Sequence, residues 1–467
     1  MRIRVSPVAR LAGTVDVPGD KSISHRAALL GAIAEGRTEI SGFLEGEDCL
    51  ATLQAIRRLG AEVTREGAGH YLVDGAGLDG LQESADVIDC GNSGTSARLL
   101  LGVLAGQPFW SVLTGDASLR SRPMGRVTEP LRRMGATVFG RDDGRRLPLG
   151  VRGARPLKGL EYTSPVASAQ VKSALLLAGL WAQAPVSIEE PALSRDHTER
   201  MLAAFGVLFA RDGRRVTIHP GQRLRGQQVA VPADISSAAF FLVAAAIAGD
   251  AEITVKNVGV NPTRTGLLDV LRAMGASIEA IDHPGLWARG RDDARSRSPL
   301  GRGQGEASHG EGRETEPGEP TADLVVTRSA LNGVDVGGAL IPRLIDEVPV
   351  LAVAACAAGG VTRIRDAAEL RVKESDRIHG IARELGRMGA EIRELPDGLE
   401  IHGGRGLQGA TVDSGGDHRL AMALVVAALA AAGPSVVEDT QCIETSFPGF
   451  VQAVNGLAGT SCAAVEP

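Results

Sequence analysis

One short phrase recurs along this 467-residue chain: a helical stretch that ends in Gly, followed by a small residue and then a strand-like one. It reads Leu59-Gly60-Ala61-Glu62-Val63, Met134-Gly135-Ala136-Thr137-Val138, Phe205-Gly206-Val207, Met274-Gly275-Ala276-Ser277-Ile278 and Met388-Gly389-Ala390-Glu391-Ile392. A glycine just past a helix takes the left-handed conformation that other residues resist, so each copy predicts a helix passing directly into a strand. Self-similarity at a fixed spacing marks a chain assembled from one supersecondary unit. The glycines lie 75, 71, 69 and 114 residues apart. The long gap holds an intruder, residues 289–320, with 6 Arg, 7 Asp/Glu, 7 Gly and 3 Pro and Leu300 as its only large apolar side chain. Such a segment buries too little to order itself and is expected to be a disordered, low-complexity insertion. Without its 32 residues the last gap falls to 82, and a sixth unit is expected to end near Asn455-Gly456-Leu457.

A second symmetry divides the six units into three and three. Val17-Pro18-Gly19-Asp20-Lys21-Ser22 precedes the apolar stretch 27–34, and Val231-Pro232-Ala233-Asp234-Ile235-Ser236-Ser237 precedes the apolar stretch 238–248. Both read as strand, Val-Pro break and helix start, so they are expected to be paired crossings between two similar domains. The boundaries are 19–231 for the first domain and 1–18 plus 232–467 for the second. Helices apolar nearly all round are buried, and Ala-rich ones let neighbouring backbones approach closely. The fold class is α/β.

Composition narrows the function. Net charge is −6, which argues against a phosphate-backbone binder, and 3 Trp, 2 Tyr and 9 Phe are too few for base-stacking platforms. Five scattered cysteines without a C-x-x-C pair suggest neither a disulfide framework nor a zinc site. The N-terminus lacks an apolar signal region and no apolar run suits a membrane span, so the expectation is a cytoplasmic monomer with no membrane or nucleic-acid partner.

The chemistry-bearing segments are short polar starts of apolar helices. Gly19–Arg26 resembles the end of a P-loop, but Asp20 separates Gly19 from Lys21 and the spacing to an earlier glycine fails. Lys21 and Ser22 instead occupy a first helical turn, whose free N–H groups favour an anion, with Arg26 on the same face; alternatively Ser22 merely caps the helix. Cys90-Gly91-Asn92-Ser93-Gly94-Thr95-Ser96-Ala97-Arg98 repeats the design. Arg122-Pro123 lies in a polar loop, and Ser168-Ala169-Gln170 opens another apolar helix. In the second half, Arg371-Val372-Lys373-Glu374-Ser375-Asp376-Arg377 is a charge run that on its own reads as a solvated helix face. Asp346 and Glu347 stand directly before an apolar run, where charge is costly unless paired or used. Arg419 follows Asp417-His418 at the start of one more apolar helix.

Taken together, Gly19–Arg26, Gly91–Arg98, Arg122-Pro123, Arg371–Arg377 and Asp417–Arg419 resemble the 5-enolpyruvylshikimate-3-phosphate synthase family of enolpyruvyl transferases, along nearly the whole chain outside 289–320. Ser168-Ala169-Gln170 and Ser194-Arg195-Asp196-His197-Thr198 are similar to one variety of that family. The resemblance implies two domains, each of three α/β units with buried parallel helices and outer sheets, an inside-out barrel. It implies transfer of the enolpyruvyl group of phosphoenolpyruvate to the 5-hydroxyl of 3-phosphoshikimate, with no metal or organic cofactor. Carried over by residue, it places 3-phosphoshikimate on Lys21, Ser22, Arg26, Ser168, Ala169, Gln170, Asp346 and Lys373, and phosphoenolpyruvate on Lys21, Gly94, Arg122, Gln170, Arg377 and Arg419. Asp346, Glu374 and Lys21 are then the catalytic groups. Two positions depart from the pattern: Thr445 stands where some members carry Lys, and Glu369 where others carry Asn. A UDP-N-acetylglucosamine enolpyruvyl transferase shares fold and donor, but Ala117 stands where its loop cysteine belongs and Ser22 where an Asn follows the lysine. A catalytically dead anion-binding paralogue would have lost Lys21, Asp346 or Glu374, and all three are present.

Overall fold

The computed structural model of the chain describes residues 1–283 and 318–466. Its strands form six four-stranded sheets, and all six share one pairing pattern: a parallel pair, extended by two antiparallel neighbours. In the sheet of Leu160–Thr163, Val186–Glu189, Arg215–Ile218 and Phe209–Asp212, for example, Leu160 lies beside Val186 in parallel register and Val186 opposite Ile218 in antiparallel register. The repeated phrase explains this recurrence. Gly60, Gly135, Gly206, Gly275 and Gly389 all have φ between 85° and 108°, each just past a helix and just before the strand that opens a hairpin. The sixth unit differs from expectation by three residues. Its helix Phe450–Ala458 runs through Gly456 and stops at Gly459, which carries the left-handed φ of 64° before the strand Ala463–Glu466.

Three nearly wholly buried helices lie in each half: Lys21–Ile33, Gly94–Ala105 and Ala169–Gly179 in the first, Ile235–Ile247, Val348–Ala357 and His418–Leu429 in the second. Their apolar side chains belong to two separate hydrophobic cores, one built from Ile23 through Val231, the other from Ile3–Val17 together with Ala233 onward. The chain's start joins the later core because strand Arg2–Val5 inserts between Ser435–Glu438 and Ala463–Glu466. Small residues set the helix spacing. A Cβ on Gly102 would lie 2.2 Å from the carbonyl oxygen of Ala174 on the neighbouring helix.

The two Val-Pro segments meet as a reciprocal pair, Asp20 N–H donating to Pro232 C=O at 2.8 Å and Asp234 N–H to Pro18 C=O at 2.9 Å. Each Asp then caps the helix that follows, Asp20 accepting from Ile23 N and Asp234 from Ser236 N. Asp20, not Ser22, is therefore the cap, which leaves the Ser22 hydroxyl to the cleft. Most of the expected insertion lies outside the described residues, but its last three residues are part of the fold. Glu319 is buried and its Oε1 meets His197 Nδ1 at 2.7 Å, beside the crossings, while its Oε2 accepts from Asn261.

The close helix contact yields a paired test. Gly102→Ala should lower stability by about 1–3 kcal/mol, as overpacking does. Gly386→Ala, in an exposed helical position with nothing near its added Cβ, should raise it by up to about 1 kcal/mol through helix propensity. Urea midpoints of the two variants against the parent decide; movement in the same direction would refute the packing argument.

Candidate active site

All six buried helices point their N-terminal residues at one cleft of about 600 Å³ between the two halves. Lys21 and Ser22 come from one helix start, Gly94 and Thr95 from a second, Ala169 and Gln170 from a third with their cap Ser168, and His418 and Arg419 from a fourth; Asp234, the cap of the fifth, and Asp346, two residues before the sixth, bring the remaining two. Unpaired N–H groups and the positive ends of helix dipoles make such a convergence a place for anions. Added to this are the side-chain cations Lys21, Arg26, Arg98, Arg122, Arg195, Lys373 and Arg419.

Most of these cations already have partners. Lys21 Nζ sits 2.9 Å from Asp48 Oδ2; burial alone would lower its pKa, but Asp48 prevails and the ammonium titrates above its ordinary value. Arg26 donates once from each of its three nitrogens, to Thr198 Oγ1 at 2.6 Å, Ser173 Oγ at 2.8 Å and the Ser22 carbonyl at 2.8 Å, and burial draws its pKa down to about 10 against the pull of Glu199. Arg98 reaches Gln170 Oε1 at 2.6 Å, Gln170 Nε2 donates to Thr95 Oγ1 at 2.9 Å, and Arg98 also holds the Pro123 carbonyl at 3.0 Å. Gly94 leaves room beside these cations: a Cβ at that position would stand 2.8 Å from Arg98 Nη1, which would have to shift, and 3.5 Å from Arg122 Nη1.

Two of the carboxylates that line the cleft, Asp346 and Glu374, lie within this array. Asp346 is contacted by Arg195, by Lys373 Nζ at 3.4 Å and by Arg377 Nη1 at 3.4 Å, while Arg419 Nη1 donates to its carbonyl at 3.2 Å. Burial pushes the Asp346 carboxyl up, yet Lys373 and Arg195, with Arg419 and Arg377, outweigh it and hold it well below the usual range. Glu374 meets Arg377 Nη2 at 2.7 Å and Arg122 Nη1 at 3.5 Å; burial again acts upward, and Arg377 and Arg122 drive the carboxyl well below its ordinary value. Both are ionised at neutral pH.

Of the residues expected from sequence, Lys21, Ser22, Arg26, Gly94, Arg122, Ser168, Ala169, Gln170, Asp346, Lys373, Glu374 and Arg419 line the cleft. Arg377 does not. It is 1% exposed and lies behind the wall, tied to Asp417 at 2.8 Å as well as to Glu374 and Asp346. The charge run that contains it is also not a solvated helix face: residues Ala368–Val372 make a 3-10 turn, and Asp376 caps the helix Arg377–Arg387, accepting from His379 N. Sequence reasoning left out Asp48, whose partner is set only by tertiary structure, and Arg126, which pairs with Glu369 across the cleft at 2.9 Å. Arg195 was visible in the Arg-Asp-His run without a role; here it binds Asp346. Thr445 is not among the lining residues, and its hydroxyl donates to the Cys442 carbonyl.

His418 supplies a pH test. Burial and Lys21 lower its pKa to about 3, so the folded protein holds the ring neutral. The unfolded chain protonates it below about 6.5, binding more protons than the folded one, so this group's contribution to stability falls as pH drops from about 6.5 toward 3. His418→Asn should therefore flatten the dependence of the urea midpoint on pH between about 6.5 and 4.5, by up to about 1.4 kcal/mol per unit. An unchanged slope would show that His418 is charged in the folded protein.

Comparison with known proteins agrees with this geometry. Residues 5–454 match the family described as EPSP synthase (3-phosphoshikimate 1-carboxyvinyltransferase). The chain is 53% identical to a 3-phosphoshikimate 1-carboxyvinyltransferase of Desulforudis audaxviator, covering 98% of this chain and 99% of the relative. It is also 53% identical to that of Geobacter sulfurreducens, over 97% and 98%. The solved structure of EPSP synthase from Acinetobacter baumannii superposes with a TM-score of 0.83 at 41% identity over the full length of both chains. With six repeated units, a cationic cleft between two cores and these relatives, the chain belongs to the EPSP synthase family.

Proposed function

We propose that this chain transfers the enolpyruvyl group of phosphoenolpyruvate to the 5-hydroxyl of 3-phosphoshikimate, releasing phosphate. The observation that carries the reading is the cleft in which cations from both halves surround the ionised carboxylates Asp346 and Glu374. Two multiply charged anions repel one another, and a shared field of fixed positive charge removes that barrier to their approach. The two domains are 19–231 and 1–18 plus 232–467, and substrates close one against the other. The protein acts as a monomer in the cytoplasm; among the described residues no helix is long and apolar enough to cross a membrane.

3-Phosphoshikimate falls to Lys21, Ser22, Arg26, Ser168, Ala169, Gln170, Asp346 and Lys373. Phosphoenolpyruvate falls to Lys21, Gly94, Arg122, Gln170 and Arg419, with Arg377 acting from behind the wall through Glu374 and Asp346. Asp346, ionised, takes the proton of the 5-hydroxyl as its oxygen bonds to C2 of phosphoenolpyruvate. A proton delivered from Glu374 converts the methylene to a methyl, giving a tetrahedral intermediate. The carbon–oxygen bond to phosphate then breaks as Lys21 gives the departing oxygen a proton, Glu374 removes a proton from the methyl to restore the double bond, and the hydroxyl proton held by Asp346 is passed on to restore Lys21.

A phosphate-release assay with phosphoenolpyruvate and 3-phosphoshikimate tests the reaction; turnover with UDP-N-acetylglucosamine and none with 3-phosphoshikimate would overturn it. Lys21→Met and Glu374→Gln should each lower kcat by about 10²–10⁴-fold, the span of positioned acid–base groups, with circular dichroism unchanged. Parent-like turnover in either variant removes that residue from the mechanism. Gly94→Ala, which crowds Arg98 and Arg122, should weaken inhibition by the phosphonate glyphosate more than it weakens phosphoenolpyruvate; equal weakening of the two would refute this.

A further inference from the structure

Three ion pairs span the cleft among the described residues: Arg195 with Asp346, Arg122 with Glu374 at 3.5 Å, and Arg126 with Glu369. The first two use groups that the proposed reaction assigns to the substrates, so they are exchanged when the substrates arrive. The third uses neither. Arg126 Nη1 donates to both carboxylate oxygens of Glu369, at 3.0 and 2.9 Å.

Its position in the fold matters as much as its geometry. Arg126 follows Arg122 by four residues and sits in the first turn of helix Gly125–Arg133, and Glu369 precedes Glu374 by five, in the turn Ala368–Val372. The same two segments therefore carry both the exchangeable pair and the third one. Both partners line the cleft at its rim, 37% and 43% exposed. Burial and the neighbouring Arg122 depress the Arg98 guanidinium, and the Glu369 charge works against that depression.

We propose that Arg126 and Glu369 form a clasp that keeps the two cleft walls in register when phosphoenolpyruvate takes Arg122 away from Glu374. They are positioning residues: the clasp holds the Arg122 and Glu374 segments within reach of the donor and must open for release. A half-exposed pair is screened by salt, so closure weakens as ionic strength rises. This inference rests on the assignment of Arg122 and Glu374 to the reaction.

The test compares the parent, Glu369→Gln, Arg126→Gln and the charge-exchanged double variant Arg126→Glu/Glu369→Arg in the full chain. Each single change should raise KM for phosphoenolpyruvate about three- to five-fold, the range open to a partly exposed pair, with the loss confined to KM and kcat retained. The exchanged pair should recover most of it. In parallel, amide hydrogen exchange at cleft-wall segments that neither change touches, 166–171 and 338–346, should quicken in the single variants and in the parent at high salt. Parent-like KM and exchange in both single variants, or a double variant no better than the singles, would overturn the clasp. Absence of phosphate release from the parent would instead strike the proposed reaction, with the exchange comparison still deciding the clasp.

Discussion

Everything at the site depends on the convergence of six helix N-termini on one cleft in a chain whose net charge is −6. Bringing that much positive potential together costs self-repulsion, and the fold offsets it with internal carboxylates. Asp48 answers Lys21, Asp417 answers Arg377, Glu347 lies 3.4 Å from Arg264, and Asp346 takes four cations. The buried helices have to be apolar along their length so that their polar beginnings can meet at the cleft, and the small residues along them allow the spacing that the meeting requires. Net charge is thus uninformative about the site, because the focused field is local.

The repeat was legible because it rests on a backbone constraint. A glycine at positive φ past a helix is a local requirement, and five of six copies announced themselves by that signature. The sixth was displaced because two glycines, Gly456 and Gly459, lie three residues apart at the end of the helix, and only the length of the packed helix decides which one ends it. The helix starts that line the cleft were legible for a similar reason, since hydroxyl, glycine and cation at a helix start form a short-range pattern. What sequence could not supply was partnership. Ser22 and Asp20 are equally good caps by type, and the choice falls to Asp20 because its N–H is already fixed by the Pro232 carbonyl. Arg377 reads as one more cation in a charge run, yet Asp417, 40 residues later, draws it behind the wall. Glu319 stands at the end of a strongly polar segment, and its partners His197 and Asn261 lie far from it in sequence.

The internal pairing also bears on how a carboxylate surrounded by arginines could act as an acid. In the unliganded arrangement Arg377 and Arg122, outweighing burial, keep Glu374 ionised, which suits the later step that removes a proton but not the earlier one that delivers it. In the proposed reaction, phosphoenolpyruvate resolves the conflict by exchange of partners. Once its carboxylate and phosphate engage Arg122 and its neighbours, part of the positive potential on Glu374 is cancelled while the burial remains, and burial alone favours the protonated form. Having given its proton to the methylene, Glu374 is a carboxylate again, and the cations that favour its ionised form leave it free to take a proton from the methyl as phosphate departs. Substrate charge, on this argument, sets the protonation state that each half of the reaction needs, and the arginines are placed where their influence can be lent to the substrate and then returned.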